Sequence, residues 1–78
     1  MEQIFDRIFF DPNICNGKPI IRGKRITVQT IMEFISAGES FEEILVQYPS
    51  LEPEDITACL RYATELMNHN FIIKQAVA

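Results

Sequence analysis

Residues 27–53, TVQTIMEFISAGESFEEILVQYPSLEP, decide the fold. In the first half of this stretch, apolar residues recur at the i, i+3, i+4 and i+7 positions of an amphipathic helix: Val28, Ile31, Met32 and Ile35. Thr27 can cap such a helix, and Gly38 stands where a left-handed residue would end it. The pattern predicts a first helix between Thr27 and Gly38.

The second half begins with the strongest local signal in the chain. Ser40 and Glu43 have the spacing of a capping box, in which each side chain accepts a hydrogen bond from the other residue's backbone amide. The apolar stripe that follows consists of Phe41, Ile44, Leu45 and Tyr48. Pro49 cannot continue the helix, so a second helix is predicted between Ser40 and Pro49.

A third helix is predicted to begin at Pro53. Glu54 and Asp55 would lie in its first turn, where the helix dipole favours negative charge. Its apolar stripe is formed by Ile56, Leu60, Ala63 and Met67. Two helices separated by a break of about four residues have the spacing of a helix-turn-helix. Residues 27–68 are therefore interpreted as a three-helix bundle.

The preceding residues 1–26 have the pattern of extended chain. The segments Ile4-Phe5 and Ile8–Phe10 favour strands, and Pro19–Ile21 favours a third short one. Asn16-Gly17 is suited to a type I′ hairpin turn, and Gly23 predicts another tight bend. We expect one or two small hairpins that form an N-terminal arm.

The length of 78 residues allows one domain, and the hydrophobic fraction of 47% favours a packed core over disorder. Because a core of this size gives marginal stability, a homodimer is expected. The last segment, residues 69–78, is interpreted as an extended tail. Its apolar side chains Phe71, Ile72 and Ile73 either add to the chain's own hairpin or contact a partner, and packing within a homodimer is favoured.

Two lone cysteines, Cys15 and Cys59, suit a reducing compartment, although a single disulfide between them is possible on sequence grounds. The sequence contains neither a signal-peptide pattern nor an apolar run long enough for a membrane span. A soluble, cytoplasmic protein without membrane contact is expected.

A catalytic constellation is not recognisable. His69 has no potential metal ligand at a suitable spacing, and Cys59 falls among core positions. Cys15 has no nearby histidine to activate it, and no glycine-rich phosphate loop is present. We therefore expect a protein that is not an enzyme, with no metal, no cofactor and no small-molecule substrate.

The formal net charge of −4 is unevenly distributed. Residues 1–26 carry five cations against three acids, a net of +2, and residues 27–78 carry two against eight, a net of −6. Four of the seven cations lie within eight residues: Lys18, Arg22, Lys24 and Arg25. They are candidates for contacts with nucleic-acid phosphates. The structural alternative is that Arg22 or Arg25 pairs with Asp6, Asp11 or a helix-end carbonyl.

The third helix carries a second candidate surface. Its polar stripe includes Thr57, Arg61 and Thr64, which are side chains able to read base edges. An ordinary solvated helix face would have the same composition. The acidic residues Glu52, Glu54 and Asp55 crowd the start of this helix and oppose an approach to DNA.

Two motifs, in order, resemble the bacterial domain-of-unknown-function 433 family. The first comprises Phe10–Pro12, Cys15–Gly23 and Arg25-Ile26. The second comprises Thr27-Val28, Ile31, Gly38, Glu42–Leu45, Tyr48-Pro49, Leu51 and Pro53–Ile56. The resemblance covers residues 4–66. It implies a mainly α fold: a three-helix, homeodomain-like helix-turn-helix bundle preceded by a short β-hairpin.

The resemblance also implies a role as a VapB-like antitoxin. The partner would be a PIN-like nuclease toxin, and operator DNA is a second expected partner. Lys24 departs from the family's pattern, which commonly has a small hydroxyl residue there, and Glu52 stands where a capping threonine is common. The tail is short for a partner-binding extension. The alternative hypothesis is a homodimeric interaction module that does not bind nucleic acid.

Overall fold

A computed structural model describes the backbone of residues 1–77 and the side chains of residues 1–68. A three-stranded antiparallel sheet precedes three helices. In chain order the elements are β1 (Glu2–Phe5), β2 (Ile8–Phe10), a 3₁₀ turn (Cys15–Gly17), β3 (Ile20–Ile21), α1 (Val28–Ser36), α2 (Phe41–Gln47) and α3 (Pro53–Val77).

The sheet has the order β1-β2-β3, so the predicted short hairpin is in fact a three-stranded sheet. Its first turn lies at Asp6-Arg7, where Arg7 adopts a φ of 64°. The prediction of a hairpin turn at Asn16-Gly17 was wrong. These residues have positive φ, but they belong to the 3₁₀ turn, because the amide of Gly17 donates to the carbonyl of Ile14 instead of bonding across a strand pair.

Another tight turn follows β3 and leads the chain into α1. The Lys24 amide donates to the Ile21 carbonyl at 2.9 Å, and the Ile21 amide donates to the Ile26 carbonyl at 3.0 Å. Gly23, between them, has a φ of 67°, which a residue with a side chain rarely adopts. The predicted bend at Gly23 is confirmed, and residues 22–25, which we call the basic loop, form its tip.

The predicted start and end signals of α1 and α2 are confirmed. The Thr27 hydroxyl accepts from the Thr30 amide at 3.0 Å, and Gly38 follows α1 with a φ of 92°. Ser40 and Glu43 form both bonds of the capping box, at 3.2 and 2.7 Å. These bonds hold the pKa of the Glu43 carboxyl below its ordinary value, the backbone amide of Ser40 contributing most.

Helix α3 begins at Pro53 as predicted but extends to Val77, which corrects the predicted end at residue 68 and the extended conformation of the tail. The reason lies in the sequence, since neither proline nor glycine occurs after Pro53 to interrupt the helix. The side chains of Phe71, Ile72 and Ile73 lie outside the described residues, and so does that of His69.

The core lies between the inner face of the sheet and the three helices. Its buried side chains include Ile8, Ile21, Val28, Ile31, Ile44, Leu51, Ile56 and Cys59. Burial raises the pKa of the Cys59 thiol to about 12, with a further contribution from Asp55, and both cysteines are free. Met67 was placed in the core stripe of α3, but 69% of it is exposed because α3 extends beyond the sheet and the other helices that could cover it.

Candidate functional site

One arginine forms ion pairs between the sheet and the start of α3, in addition to the apolar packing of the core. A guanidinium nitrogen of Arg7 lies 2.8 Å from the carboxylate of Glu52 and 2.9 Å from that of Asp55. Asp55 is only 3% exposed, and its second oxygen accepts from the Glu52 amide at 2.8 Å. The bonds to Glu52 and then to Asp55 raise the pKa of Arg7 above its ordinary value. We call these three residues the Arg7 clamp.

Beside the clamp, the Asp6-Arg7 turn and the basic loop lie next to each other. The backbone carbonyl of Arg7 accepts from the Arg22 amide at 2.9 Å, so the basic loop begins directly beside the Asp6-Arg7 turn. The clamp also supports the start of α3. Asp55 satisfies the amide that precedes α3, and Glu52 uses its carboxylate to hold Arg7.

The cations of the basic loop differ from Arg7 in having no acidic partner. Arg22 and Arg25 are exposed, as is Lys18 nearby, and Lys24 is half-buried. Among residues 1–68, none of these four has a carboxylate within 4.0 Å. Asp11, proposed as a partner, instead accepts from the Asn13 amide at 2.9 Å. The cations are therefore available for an external anion.

The predicted polar stripe of α3 lies on an accessible face, with Arg61 and Thr64 exposed and Thr57 half-buried. Both threonine hydroxyls donate back to their own helix, Thr57 to the Pro53 carbonyl at 3.3 Å and Thr64 to the Leu60 carbonyl at 2.9 Å. In this rotamer they can only accept hydrogen bonds from a ligand, whereas the guanidinium of Arg61 can donate.

Two adjoining pockets share Asp6 and Arg7. The α3 pocket, of about 250 Å³, is lined by Asp6, Arg7, Glu54, Thr57, Ala58 and Arg61. The sheet pocket, of about 300 Å³, is lined by Gln3, Asp6, Arg7, Phe9 and Arg22. The structure thus brings Arg22, Thr57 and Arg61 to neighbouring concave surfaces. Thr64, Lys18, Lys24 and Arg25 line neither pocket.

Sequence reasoning did not identify Gln3, Asp6, Arg7 and Phe9 as site residues. The available signal was the polar pair Asp6-Arg7 between two strand-forming apolar segments, which marks a hairpin turn. The contacts of Arg7 with α3 carry no local signal, since the partners lie 45 and 48 residues away.

Within the described part of the chain, no three potential metal ligands of the His, Cys, Asp or Glu type come together. The elevated pKa of Cys59 keeps its thiol protonated at neutral pH, which makes it a poor nucleophile or ligand. In the same part of the chain, no helix combines the length and apolar character needed to cross a membrane.

The chain belongs to the family described as "Protein of unknown function (DUF433)", whose model matches residues 8–63. The uncharacterized protein y4eO of Sinorhizobium fredii is 38% identical to it over 52 residues, which cover 67% of this chain. The match spans only 24% of that relative's length.

A crystal structure of a DUF433 member protein from Anabaena variabilis has a similar fold, with a TM-score of 0.74 and 30% sequence identity. The similarity covers 92% of this chain and 69% of that one. The predicted membership of the DUF433 family is therefore confirmed.

Proposed function

We propose that this DUF433 protein is a non-catalytic, VapB-like antitoxin of a bacterial toxin–antitoxin pair. It would bind a PIN-like nuclease toxin in the cytoplasm and contact operator DNA, with α2 and α3 acting as a homeodomain-like helix-turn-helix. The observation that carries the proposal is the segregation of charge: the cations of the basic loop have no acidic partner among residues 1–68, and the helical part is strongly acidic.

The basic loop supports the contact with DNA. Arg22 and Arg25 extend from a short turn that Gly23 keeps tight, and neither is occupied by an acid among the described side chains. Cations in this state gain affinity for DNA by releasing the counterions condensed on phosphates. Lys18 and Lys24 add to the positive electrostatic potential of this region.

The polar face of α3 would read bases through Thr57, Arg61 and Thr64. The acidic start of this helix opposes the approach, but Arg7 offsets part of that charge by pairing with both Glu52 and Asp55. Glu54 remains exposed beside the α3 pocket. Arg61, on the same pocket, is the residue best placed to donate to a guanine edge.

The acidic helical part supports the binding of a nuclease. Residues 27–78 carry a net charge of −6, and Glu42 and Glu54 are exposed in the first turns of α2 and α3. A nuclease that binds RNA presents a basic surface, and an acidic protein can occupy that surface by electrostatic complementarity.

The homodimeric interaction module is kept as a second candidate because of the exposed apolar side chains on α3. Leu66 and Met67 are 44% and 69% exposed in the single chain, and a second copy could cover them. This candidate predicts a dimer whose binding to any duplex is undetectable. Its expectation that Arg22 or Arg25 is held in an ion pair is not met among residues 1–68.

The nuclease partner is sought by pulling down the tagged protein from its native host and identifying any small nuclease that co-purifies. The two purified proteins are mixed, the size of any complex is measured, and cleavage of a labelled RNA by the nuclease is followed. A stoichiometric complex and loss of cleavage are expected. Full cleavage in the presence of excess protein would contradict the antitoxin role.

DNA binding is tested by measuring the affinity for the upstream DNA of the operon over a range of salt concentrations, with and without the nuclease. Arg22→Ala with Arg25→Ala should weaken binding to all sequences and reduce the slope of log affinity against log salt by about 2. Arg61→Ala, the matched control, should chiefly relax sequence preference. An unchanged slope in the double variant would remove the phosphate assignment.

A further inference from the structure

The face of the sheet that points away from the core carries its own row of side chains. In the register of the strands, Gln3 pairs with Phe9 and Phe9 pairs with Ile20. Their neighbours Ile8 and Ile21 lie in the core, and side chains alternate between the two faces of a strand. Gln3, Phe9 and Ile20 therefore share the other face of the sheet, on which Ile20 is buried, Phe9 is half-buried and Gln3 is exposed.

Each side chain that lines the sheet pocket offers a distinct kind of contact. Phe9 contributes a partly exposed aromatic ring, and Arg22 contributes a guanidinium that has no acidic partner among the side chains of residues 1–68. Asp6 contributes an exposed carboxylate that has no hydrogen-bond donor among the described residues. Gln3 donates to the Phe5 carbonyl at 3.2 Å, which fixes its amide and leaves its oxygen as an acceptor.

We propose that the sheet pocket binds one nucleotide of a single-stranded nucleic acid, its base stacked on Phe9 and its phosphate contacted by Arg22. The stacked base places its edge beside Asp6 and Gln3, which both present acceptor oxygens. The site thus selects a base with an exocyclic amino group, such as cytosine, over uracil, whose O4 would meet the carboxylate of Asp6.

The combination of groups distinguishes this ligand from simpler ones. A free phosphate would gain nothing from Phe9 and would be repelled by Asp6. An apolar peptide would leave Arg22 and Asp6 without partners. A paired base in a duplex hides its faces in the stack, whereas an unpaired base can place one on an aromatic side chain.

This inference goes beyond the antitoxin proposal and does not rest on it. Operator binding would use the basic loop and α3 on a duplex, and nuclease binding would use the acidic helices. Neither requires Phe9. The basic loop supplies further cations to the flanking phosphates, because Lys24 and Arg25 follow Arg22 directly around the turn.

The test measures fluorescence anisotropy of labelled oligocytidine and oligouridine, each as RNA and as DNA, with the purified full chain alone. We expect binding of oligocytidine to be tighter than that of oligouridine. Phe9→Leu should weaken it about 5- to 150-fold, the range for loss of one stacked base, and Phe9→Tyr should retain it. Comparison of the RNA and DNA oligonucleotides shows which kind of single strand the site prefers.

Asp6→Asn is the decisive variant because Asp6 is exposed and its replacement should not disturb the fold. It should reduce the preference for oligocytidine, since an amide can donate to the uracil O4. Gln29→Ala is the control, because Gln29 is exposed on α1 and lines neither pocket. Circular dichroism checks that each variant is folded.

Absence of single-strand binding by the wild-type chain would overturn the inference, and so would equal affinities of folded Phe9→Leu and wild type. An equal loss in Gln29→Ala would show that the effect is not specific to the sheet pocket and would overturn the assignment to it. Because nuclease and operator are absent from these assays, failure here leaves the antitoxin proposal intact, and failure of the antitoxin role leaves this site intact.

Discussion

The sheet and the helices of this protein are stabilised by polar contacts of different range. In the helical part, the side-chain hydrogen bonds join residues three or four positions apart, as between Thr27 and Thr30 or Ser40 and Glu43, with one exception, between Gln47 and Glu39. In the sheet, the decisive contacts run from Arg7 to residues 45 and 48 positions away. The helices are therefore defined locally, whereas the position of the sheet depends on the assembled fold.

Arg7 and Arg22 are neighbours in the fold, but only one of them makes such long-range contacts. Arg7 is held by two carboxylates, and Arg22, whose amide bonds to the carbonyl of Arg7, has none among the described residues. One positive charge maintains the structure and the other is available to a ligand. Experiments can therefore separate the two roles by comparing loss of stability with loss of binding.

The largest contrast is expected in the reactivity of the two cysteines, one in each region. Cys59 is fully buried, and its pKa of about 12, against the ordinary 9.0, lowers its thiolate population about 1,000-fold. Cys15 is half-buried in the 3₁₀ turn between β2 and β3. In a thiol titration at mildly alkaline pH, one thiol should react rapidly, and the second should react only when denaturant is added.

The assignment is checked with Cys15→Ser, which should remove the rapid phase, and Cys59→Ala, which should retain it. Rapid reaction of both thiols in the native protein would mean that α3 opens readily and that the helical part is less rigid than the sheet. That result would contradict the view that the helical part is the more independently defined of the two regions.

Removal of Asp55 should give the largest loss of stability among the polar contacts. Asp55→Ala takes the acceptor from the Glu52 amide and one of two partners from Arg7, so we expect a loss of about 1–3 kcal/mol in the free energy of unfolding. Glu52→Ala is the matched control. Glu52 is 60% exposed, and its loss should cost less than about 1 kcal/mol.

Urea denaturation followed by circular dichroism measures both variants. Similar losses in the two would show that burial of Asp55 does not matter to the attachment of the sheet. Arg22→Ala should change stability by no more than about 0.5 kcal/mol, as expected for a surface residue.

The same division by range explains what the sequence could predict. The caps at Thr27 and Ser40 and the end of α1 at Gly38 are local signals, and all were predicted correctly. The exact strand pairing and the Arg7 clamp were not, because they depend on which distant segments meet. The end of α3 was misplaced because an apolar segment at 71–73 was read as extended despite the absence of a helix breaker.

One part of the candidate site was predicted from the sequence and the other was not. The clustering of Arg22 with its neighbouring cations is visible in the sequence, so the basic loop was identified. The sheet pocket was not, since Gln3, Phe9 and Arg22 come together only through the register of β1, β2 and β3. A site formed across strands becomes predictable only when its turns are placed correctly, and the Asp6-Arg7 turn had been overlooked.

A smaller and purely local effect is expected at the second helix. Ser40→Ala removes the oxygen that accepts from the Glu43 amide and should lower the free energy of unfolding by about 1 kcal/mol. Ser40→Gly should cost only a few tenths of a kcal/mol. If the cap acts locally, as proposed, neither variant should change the affinity for nucleic acid. Denaturation curves and binding assays on the same preparations provide both measurements.

The smallest effect is the pH dependence contributed by Glu43. Because folding lowers the pKa of its carboxyl below the ordinary 4.5, the charged form stabilises the native state. That contribution is complete above pH 4.5 and is lost as the pH falls through the lower, folded pKa.

Glu43→Gln keeps a side-chain acceptor for the Ser40 amide but has no charge to lose. The melting temperature of the wild type should therefore exceed that of Glu43→Gln at neutral pH, and the difference should disappear in acid. Because the two proteins differ only at residue 43, the difference isolates Glu43. A difference that is constant with pH would assign the contribution of Glu43 to hydrogen-bond geometry rather than to its charge.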